Sequence, residues 1–400
     1  MKKIIAAAVL SFLFSSLFVV CAAEKWDDPN YHAPLTGEEI NVYNWGEYIS
    51  DGSEGSLDVN AEFTRRTGIK VNYTNFASNE EMYTKLGSDI YEYDVIIPSD
   101  YMIQRLINED MLVKLNYKNI PNFKYILERY RNLGYDPTNE YTVPYTVGMV
   151  GLIYNTKKVK EAPTSWSAMW DEKYSGDILM FDNPRDAFAL AQFALGISLN
   201  SNSVDEWTAA YNKLLEQKPL VQSYVMDEIF DKMGAGEALI APYYAGDAVT
   251  LMDEYEELGF VIPESGTNLF VDAICIPTGA KQKEAAEMYI NFMCEPDIAF
   301  SNIDYICYST PHSAAFEMLD EETQNDPISY PDSELIASKS EVFVNLSDEA
   351  NKLMQDLWTE MKSAEDENTN TLFVPIFLLI CIGIIIFVLV RRHIKNKKDI

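Results

Sequence analysis

Aromatic and acidic residues lie together where one apolar segment ends. Residues 42–48 begin as a short apolar strand and end in a turn that contains Trp45, Glu47 and Tyr48. Open α/β sheets bind ligands at the carboxyl ends of their strands, so this turn is a candidate site. A carboxylate among aromatic rings suits an organic cation, because the carboxylate pairs the charge and the rings contact the methylene groups. The alternative is a surface turn in which Trp45 and Tyr48 fill the core.

Polar and aromatic residues also follow other predicted strands. The strands predicted over 93–98, 178–181 and 238–241 each run into such a turn. The three turns are SDY at 99–101, DNPRD at 182–186 and PYYAGD at 242–247. Because strand ends of this kind face the ligand in α/β proteins, we expect these turns to contribute to a binding site.

Predicted strands alternate with predicted helices along the chain, which indicates an α/β fold. A helix over 57–66 ends at Gly68, which is a typical helix terminator. Ser78 and Glu81 form a capping box that begins the next helix. The alternation continues to a last helix over 349–361, without an internal repeat. The 400 residues suffice for two domains, so we expect two α/β lobes.

The two ends of the chain differ from the middle. Residues 1–23 have two lysines, an apolar run and small final residues, as in a secretory signal peptide. Cleavage after Ala23 and lipidation of Cys21 both stay open. Residues 371–390 carry no charge and precede a basic segment, which predicts a transmembrane helix about 30 Å long with residues 391–400 in the cytoplasm. The alternative is a buried helix of a globular core.

The part of the chain between these ends is strongly acidic. Seven of the 31 Lys and Arg residues, but only one of the 62 Asp and Glu residues, lie in the two ends, so the remainder has a net charge near −37. Nucleic acid is therefore excluded as a partner, since its phosphates require a basic surface. An acidic body attracts cations and repels anions.

The sequence offers little for catalysis. Of the three histidines, His32 lies in a polar lead-in segment and His393 in the predicted cytoplasmic tail, so only His312 is a candidate for catalysis. No HExxH motif or nucleophile elbow is present. The central cysteines, Cys275, Cys294 and Cys307, form no short motif, so neither a disulfide framework nor a zinc or iron site is expected. We expect no cofactor and no metal. A pair of carboxylates, as in glycosidases, is compatible with the composition.

Six segments in order carry a resemblance to a known family. They are YNWGEY at 43–48, TGIKV at 67–71, YDVIIPS at 93–99, VPY at 143–145, TSW at 164–166 and YSTP at 308–311. With these segments the chain resembles the spermidine/putrescine-binding proteins of bacterial polyamine ABC transporters. The likeness extends over about 39–361.

The resemblance implies a two-lobed periplasmic-binding-protein fold of type II, whose lobes close around a ligand by a hinge motion. The first lobe would comprise 38–146 and 271–316, and the second lobe 147–270 and 317–362. The protein would capture putrescine or spermidine outside the cytoplasm and deliver it to an ABC permease, without any covalent chemistry.

The resemblance also implies which residues contact the ligand. Asp272 would be the main ammonium-binding carboxylate, and Glu47 would meet an ammonium group at one end. The aromatic walls would be Trp45, Tyr48, Tyr244, Phe270 and Tyr308. The other implied contacts are Ser99, Tyr101, Asn183, Asp186 and Asp247.

Several alternatives stay open at this point. Asp247 also fits a helix N-cap, Asp272 a turn cap, and Phe270 and Tyr308 plain core positions. Asn183 stands where spermidine-preferring members have aspartate, so the sequence does not rank putrescine against spermidine. The alternative functions are binding of a sugar or a cationic amino acid by the same fold, and a surface glycosidase with paired acids.

Overall fold

The computed structural model describes residues 38–88, 92–331, 336 and 338–364. The predicted signal peptide (1–23), transmembrane helix (371–390) and cytoplasmic tail (391–400) lie outside the described residues. Within the described residues, no helix has the length and apolar character needed to cross a membrane.

Ten strands and twelve α-helices are assigned in the described part of the chain. The strands are β1 (Glu39–Trp45), β2 (Lys70–Phe76), β3 (Val95–Ile96), β4 (Thr142–Asn155), β5 (Ile178–Phe181), β6 (Val221–Val225), β7 (Ile240–Tyr244), β8 (Leu258–Val261), β9 (Thr267–Cys275) and β10 (Ser340–Glu341). The helices are α1 (Val59–Thr67), α2 (Asn79–Leu86), α3 (Asp100–Asn108), α4 (Pro184–Leu195), α5 (Val204–Gln217), α6 (Glu228–Gly234), α7 (Ala245–Glu254), α8 (Lys283–Met293), α9 (Pro296–Ile306), α10 (Ser313–Met318), α11 (Glu321–Gln324) and α12 (Asp348–Ser363).

The chain divides into two compact units. The first unit contains the described residues of 1–153, 243–262 and 266–345, and the second those of 154–242, 263–265 and 346–400. Each unit combines strands and helices, so the expected α/β class is observed in both. Lobes are defined by the residues that move together, so the lobe bounds expected from the resemblance stay a prediction.

The sheet of the first unit has the strand order β2-β1-β3-β9-β4. Strand β1 is parallel to β2 and β3, because α1 and α2 return the chain to the same end of the sheet. Strand β9 is antiparallel to β3 and β4. The carboxyl ends of β1 and β3 therefore point to the same edge, and Ser99, just after β3, forms a bridge with Asp272 in β9.

Side-chain caps set the helix ends that the sequence predicts. Helix α1 begins at Val59 rather than Leu57, because the Asp58 side chain accepts a hydrogen bond from the Ala61 amide. Gly68 ends α1 in the left-handed conformation, with φ 76°. The capping box at α2 is confirmed, since the Ser78 hydroxyl accepts from the Glu81 amide.

The second unit contains the parallel strands β5 and β6 and residues 240–242 of β7, with β5 in the centre. Helix α4 begins at an Asn183 cap and α5 at a Ser203 cap. Helix α12 packs on α5 and α4. The Phe188 and Trp207 rings, 5.2 Å apart and close to perpendicular, join α4 to α5 in a core that excludes water.

His312 has a structural position in the first unit. It caps α10: its Nδ1 accepts from the Ala315 amide at 3.0 Å, so Nε2 carries the hydrogen and donates to the Cys294 carbonyl at 2.9 Å. Burial lowers the pKa of the imidazole below its usual value. Both nitrogens are occupied, so His312 is no general base. The thiols Cys275, Cys294 and Cys307 are free.

This position predicts a stability that depends on pH. Because the pKa of His312 is lower in the folded than in the unfolded state, its neutral form stabilises the fold near pH 7.5, and this stabilisation is lost as the pH falls below about 6.5. His312→Asn keeps a capping acceptor but does not titrate. In denaturant unfolding, the advantage of the wild type over this variant should decline from pH 7.5 to pH 5. A constant difference would contradict the assignment.

Candidate functional site: a tyrosine–aspartate cluster

Eight of the twelve predicted site residues are joined by direct contacts, or through one buried asparagine, in the first unit. We call this set the tyrosine–aspartate cluster; its members are Tyr48, Ser99, Tyr101, Tyr244, Asp247, Phe270, Asp272 and Tyr308. They come from the segments that follow β1 and β3, from the starts of α3 and α7, from the end of β7, from β9 and from the residue that follows α9 by two positions.

Asp272 lies in the middle of β9 and is 3% exposed. The Tyr48 phenol donates a hydrogen bond to its Oδ2 at 2.7 Å. Since the Tyr48 hydrogen is used in this way, the Tyr48 oxygen accepts from the hydroxyl of Thr146, which is the strand partner of Asp272 in β4. The turn-cap alternative for Asp272 is therefore wrong.

The charge of Asp272 is poorly compensated. Burial raises the pKa of this carboxyl to about 6, although hydrogen bonds from Ser99 and Tyr48 act in the opposite direction. Asp272 forms no ion pair with any residue that the structure describes. Burial also raises the pKa of Tyr48 well above its usual value, so the phenol keeps its hydrogen and remains a donor. An ionised carboxylate in this position favours a cationic partner.

A second carboxylate has the same kind of partner. The Tyr308 phenol donates to Asp247 Oδ2 at 3.0 Å, and the Tyr308 ring stands perpendicular to the Tyr48 ring with centroids 4.9 Å apart. Asp247 is inside helix α7, whose N-cap is Tyr244. The N-cap alternative for Asp247 is therefore wrong, and the two tyrosines connect two buried aspartates.

Phe270 and Tyr244 extend the aromatic surface. The Phe270 ring lies 6.4 Å from Tyr308 and 5.6 Å from Tyr244, both at steep angles. Two glycines leave space for these rings: a Cβ at Gly148 would lie 2.3 Å from Phe270, and a Cβ at Gly246 would lie 2.2 Å from Tyr308. Any side chain at these two positions would displace a ring of the cluster.

Ser99 and Tyr101 are linked by a residue that the sequence analysis did not select. The Asn79 amide donates to the Ser99 hydroxyl at 3.1 Å and to the Tyr101 hydroxyl at 3.2 Å. The Tyr101 hydroxyl in turn donates to Glu80 at 3.0 Å. The sequence analysis did not select Asn79 and Glu80, because the capping box of Ser78 and Glu81 already accounted for this segment.

The other four predicted site residues have neighbours outside the tyrosine–aspartate cluster; they are Trp45, Glu47, Asn183 and Asp186. Trp45 packs against Phe76, with centroids 4.5 Å apart, and Glu47 is exposed with a left-handed backbone, φ 45°. In the second unit, the Asn183 amide donates to Asp186 at 2.8 Å.

Other site residues that the sequence analysis missed have weak signals. Thr146 continues the segment VPY at 143–145, and only strand pairing reveals its position opposite Asp272. Gly148, in the interior of β4, carries the clearest signal, because glycine inside a strand often marks a close approach of another group. Within the described residues, no group of three His, Cys, Asp or Glu side chains is placed to hold a metal ion.

Comparison with known proteins shows the family of the chain. Residues 59–330 match the family described as bacterial extracellular solute-binding protein. The chain is 33% identical over 328 residues to the spermidine/putrescine-binding periplasmic protein of Escherichia coli. This alignment covers 81% of this chain and 91% of that protein. It is 29% identical over 346 residues to the putrescine-binding periplasmic protein SpuD of Pseudomonas aeruginosa, at 82% and 92% coverage. The structure of the spermidine/putrescine ABC transporter substrate-binding protein PotD from Streptococcus pneumoniae, in complex with calcium and HEPES, aligns with a TM-score of 0.66 and 35% identity, covering 81% of this chain and 98% of that one.

The fold and the site thus define an α/β substrate-binding protein of the periplasmic-binding-protein type. More specifically, the chain belongs to the bacterial extracellular solute-binding protein family. Proteins of this kind bind and deliver solutes, and the prediction that the chain is a binding protein rather than an enzyme is confirmed.

The buried charge at Asp272 predicts an unusual effect on stability. Because the pKa of Asp272 rises from 3.8 to about 6 on folding, the associated stabilisation is complete below pH 3.8 and is lost as the pH rises through 6, by up to about 3 kcal/mol. Asp272→Asn removes this titration. In denaturant unfolding without ligand, the wild type should gain up to about 3 kcal/mol relative to the variant between pH 8 and pH 4. A pH-independent difference would show that Asp272 is not desolvated.

The close approach of the Tyr308 ring to Gly246 predicts a second effect on stability. Gly246→Ala should lower the free energy of unfolding by about 1–3 kcal/mol, because the new methyl group overlaps the Tyr308 ring, even though alanine is the better helix former. Gly279→Ala is the control, since its Cβ would meet open space. Denaturant unfolding of both variants measures the difference. Equal stability of the two variants would mean that Tyr308 does not rest on Gly246.

Proposed function

We propose that this protein is an extracytoplasmic receptor that binds polyamines such as putrescine and spermidine and delivers them to an ABC permease. The observation that carries the proposal is Asp272: a buried carboxylate that accepts a hydrogen bond from Tyr48, with no cationic partner among the described residues. The relatives in Escherichia coli and Pseudomonas aeruginosa are named as spermidine/putrescine-binding and putrescine-binding proteins, which supports this assignment.

The chemistry of the cluster suits a diamine. Each ammonium group that leaves water needs an opposite charge and hydrogen-bond acceptors, because its desolvation otherwise costs several kcal/mol. Asp272 and Asp247 supply two carboxylates, and each already accepts from a tyrosine. The Tyr48, Tyr308 and Phe270 rings offer faces to the ammonium groups and to the alkyl chain between them.

Other ligand classes fit the cluster less well. A neutral sugar would leave the charge of Asp272 buried without a partner. A cationic amino acid would bring its own carboxylate into a cluster that already holds two acids, so it would meet repulsion. A glycosidase is disfavoured, since the family binds solutes.

We also propose the remaining contacts that the resemblance implies. Trp45 and Glu47 would approach one end of the polyamine, and Asn183 and Asp186 would contribute from the second unit. The proposed lobes are 38–146 with 271–316 and 147–270 with 317–362, in a fold of type II.

Membrane attachment is part of the proposal. Residues 371–390 are uncharged and precede a basic segment, which supports a membrane-spanning helix with the binding body outside the cytoplasm. Residues 1–23 have the pattern of an export signal. A tether of this kind would keep the receptor at a high effective concentration beside its permease.

Calorimetric titration of the full-length protein tests the ligand class. Putrescine or spermidine should bind, whereas lysine and a maltodextrin should not. Asp272→Asn should weaken polyamine binding at pH 7.5 by about 100-fold or more, because it leaves a buried ammonium group without its charge partner. Wild-type affinity should also fall as the pH drops below about 6, when Asp272 becomes protonated.

Glu256→Gln is the matched control for this titration. It removes the same unit of charge from an exposed position and should leave the affinity nearly unchanged. The absence of polyamine binding by the wild type, or equal affinities of the Asp272 and Glu256 variants, would refute the proposal.

A further inference from the structure

Asn79 is a buried residue that holds two members of the cluster. Its side chain is 1% exposed at the start of α2. The Asn79 Oδ1 atom accepts from the Ser99 backbone amide at 3.2 Å. This contact sets the orientation of the side-chain amide, because a backbone N–H donates only to an acceptor. The Nδ2 atom then faces the hydroxyl oxygens of Ser99 and Tyr101, at 3.1 and 3.2 Å.

The orientation of the amide determines the direction of the hydroxyl hydrogens. Both hydrogens of Asn79 Nδ2 are donated, so the Ser99 and Tyr101 oxygens act as acceptors in these bonds. Each hydroxyl must place its own hydrogen elsewhere. The Tyr101 hydrogen goes to Glu80 at 3.0 Å, and Ser99 lies beside Asp272, to which it is joined by a β-bridge.

This direction matters for a cationic ligand. An ammonium group has only hydrogen-bond donors, so it requires acceptors on every side. A hydroxyl that gives its hydrogen to a carboxylate can act only as an acceptor toward other donors. A hydroxyl that can rotate points its hydrogen at the ammonium group part of the time, which is repulsive.

We propose that Asn79 is a positioning residue of the polyamine site: its amide directs the hydroxyl hydrogens of Ser99 and Tyr101 toward the carboxylates of Asp272 and Glu80, so that the Ser99 oxygen accepts a hydrogen bond from a ligand ammonium group. This inference rests on the proposed function and deepens it. Glu80 takes part as the acceptor for the Tyr101 hydrogen.

A purely local role for Asn79 does not explain these contacts. Helix α2 is already capped by Ser78, whose hydroxyl accepts from the Glu81 amide, and the Glu81 carboxylate accepts from the Ala77 amide. The amide of Asn79 is therefore not needed for the cap. All three of its hydrogen bonds instead go to Ser99 and Tyr101, twenty residues or more along the chain.

Two variants of Asn79 test the proposal in the full-length protein, with putrescine and spermidine as probes. Asn79→Ala removes both donors, and Asn79→Asp keeps the acceptor for the Ser99 amide but replaces the donors by an acceptor. Asn291→Ala is the matched control: Asn291 is also buried (3% exposed) in the first unit, and its side chain accepts from the Asn122 amide rather than from a cluster residue. Calorimetry gives the dissociation constant between pH 5 and pH 8, and a thermal melt shows that each variant is folded.

We expect Asn79→Ala to raise the dissociation constant by about 10- to 100-fold, which is the usual loss for a hydrogen bond to a charged group. The pH at which half of the affinity is lost should also move upward, because the Ser99 hydroxyl no longer favours the ionised form of Asp272. Asn79→Asp should bind more weakly than the wild type although it adds a negative charge. Asn291→Ala should change neither the affinity nor the pH dependence.

Three results would overturn the inference. Asn79→Ala could match Asn291→Ala in affinity and pH dependence, with only its melting temperature lowered, which would mean a structural role. Asn79→Asp could bind as tightly as the wild type or more tightly, which would mean that charge and not hydrogen direction matters. If the wild type binds neither polyamine, the proposed function itself fails, and the inference fails with it.

Discussion

A carboxylate that is buried without a positive partner is the constraint on which this site depends. Asp272 sits in the middle of a strand, where water is excluded and its charged form is disfavoured. Hydroxyl groups of Tyr48 and Ser99 offset part of the cost, but a hydroxyl supplies only a partial charge. The fold therefore holds this position in a state that a cationic ligand stabilises more than any neutral one.

The elements around Asp272 serve to maintain this state. The carboxyl ends of β1 and β3 deliver Tyr48 and Ser99 to the same part of β9, and β4 adds Thr146 as the hydroxyl behind Tyr48. The same construction recurs at Asp247, whose partner is Tyr308. Two aspartates, each joined to a tyrosine, and two tyrosine rings in perpendicular contact make a surface that suits two separated positive charges with an apolar chain between them.

Glycines and an asparagine support the ligand-facing groups without contacting the ligand in this interpretation. Gly148 and Gly246 allow Phe270 and Tyr308 to lie against main chain, so that the rings have few alternative positions. Asn79 joins the segments that follow β2 and β3. Such supporting residues decide how precisely the carboxylates and rings are placed, which is why a site of this kind is sensitive to changes outside the contact surface.

The local elements of the fold could be predicted because their signals are local. The Ser78–Glu81 capping box and the Gly68 helix end require only a few neighbouring residues, and both are confirmed. Helix α1 starts two residues later than predicted, because the Asp58 cap competes with the apolar pattern of 57–66. The two alternatives for Asp247 and Asp272 are local interpretations of the same kind, and both are wrong because tertiary partners determine those side chains.

The sequence by itself determined the class of protein. The alternation of strands and helices indicated an α/β fold, and the resemblance carried by six short segments indicated a polyamine-type binding protein. Only the tertiary structure decided which residues meet. Thr146, Asn79 and Gly246 acquire their roles from partners far away in the chain, at Tyr48, Ser99 and Tyr308. No local pattern encodes such contacts, because they depend on the strand order and register that the whole first unit adopts when it buries its core.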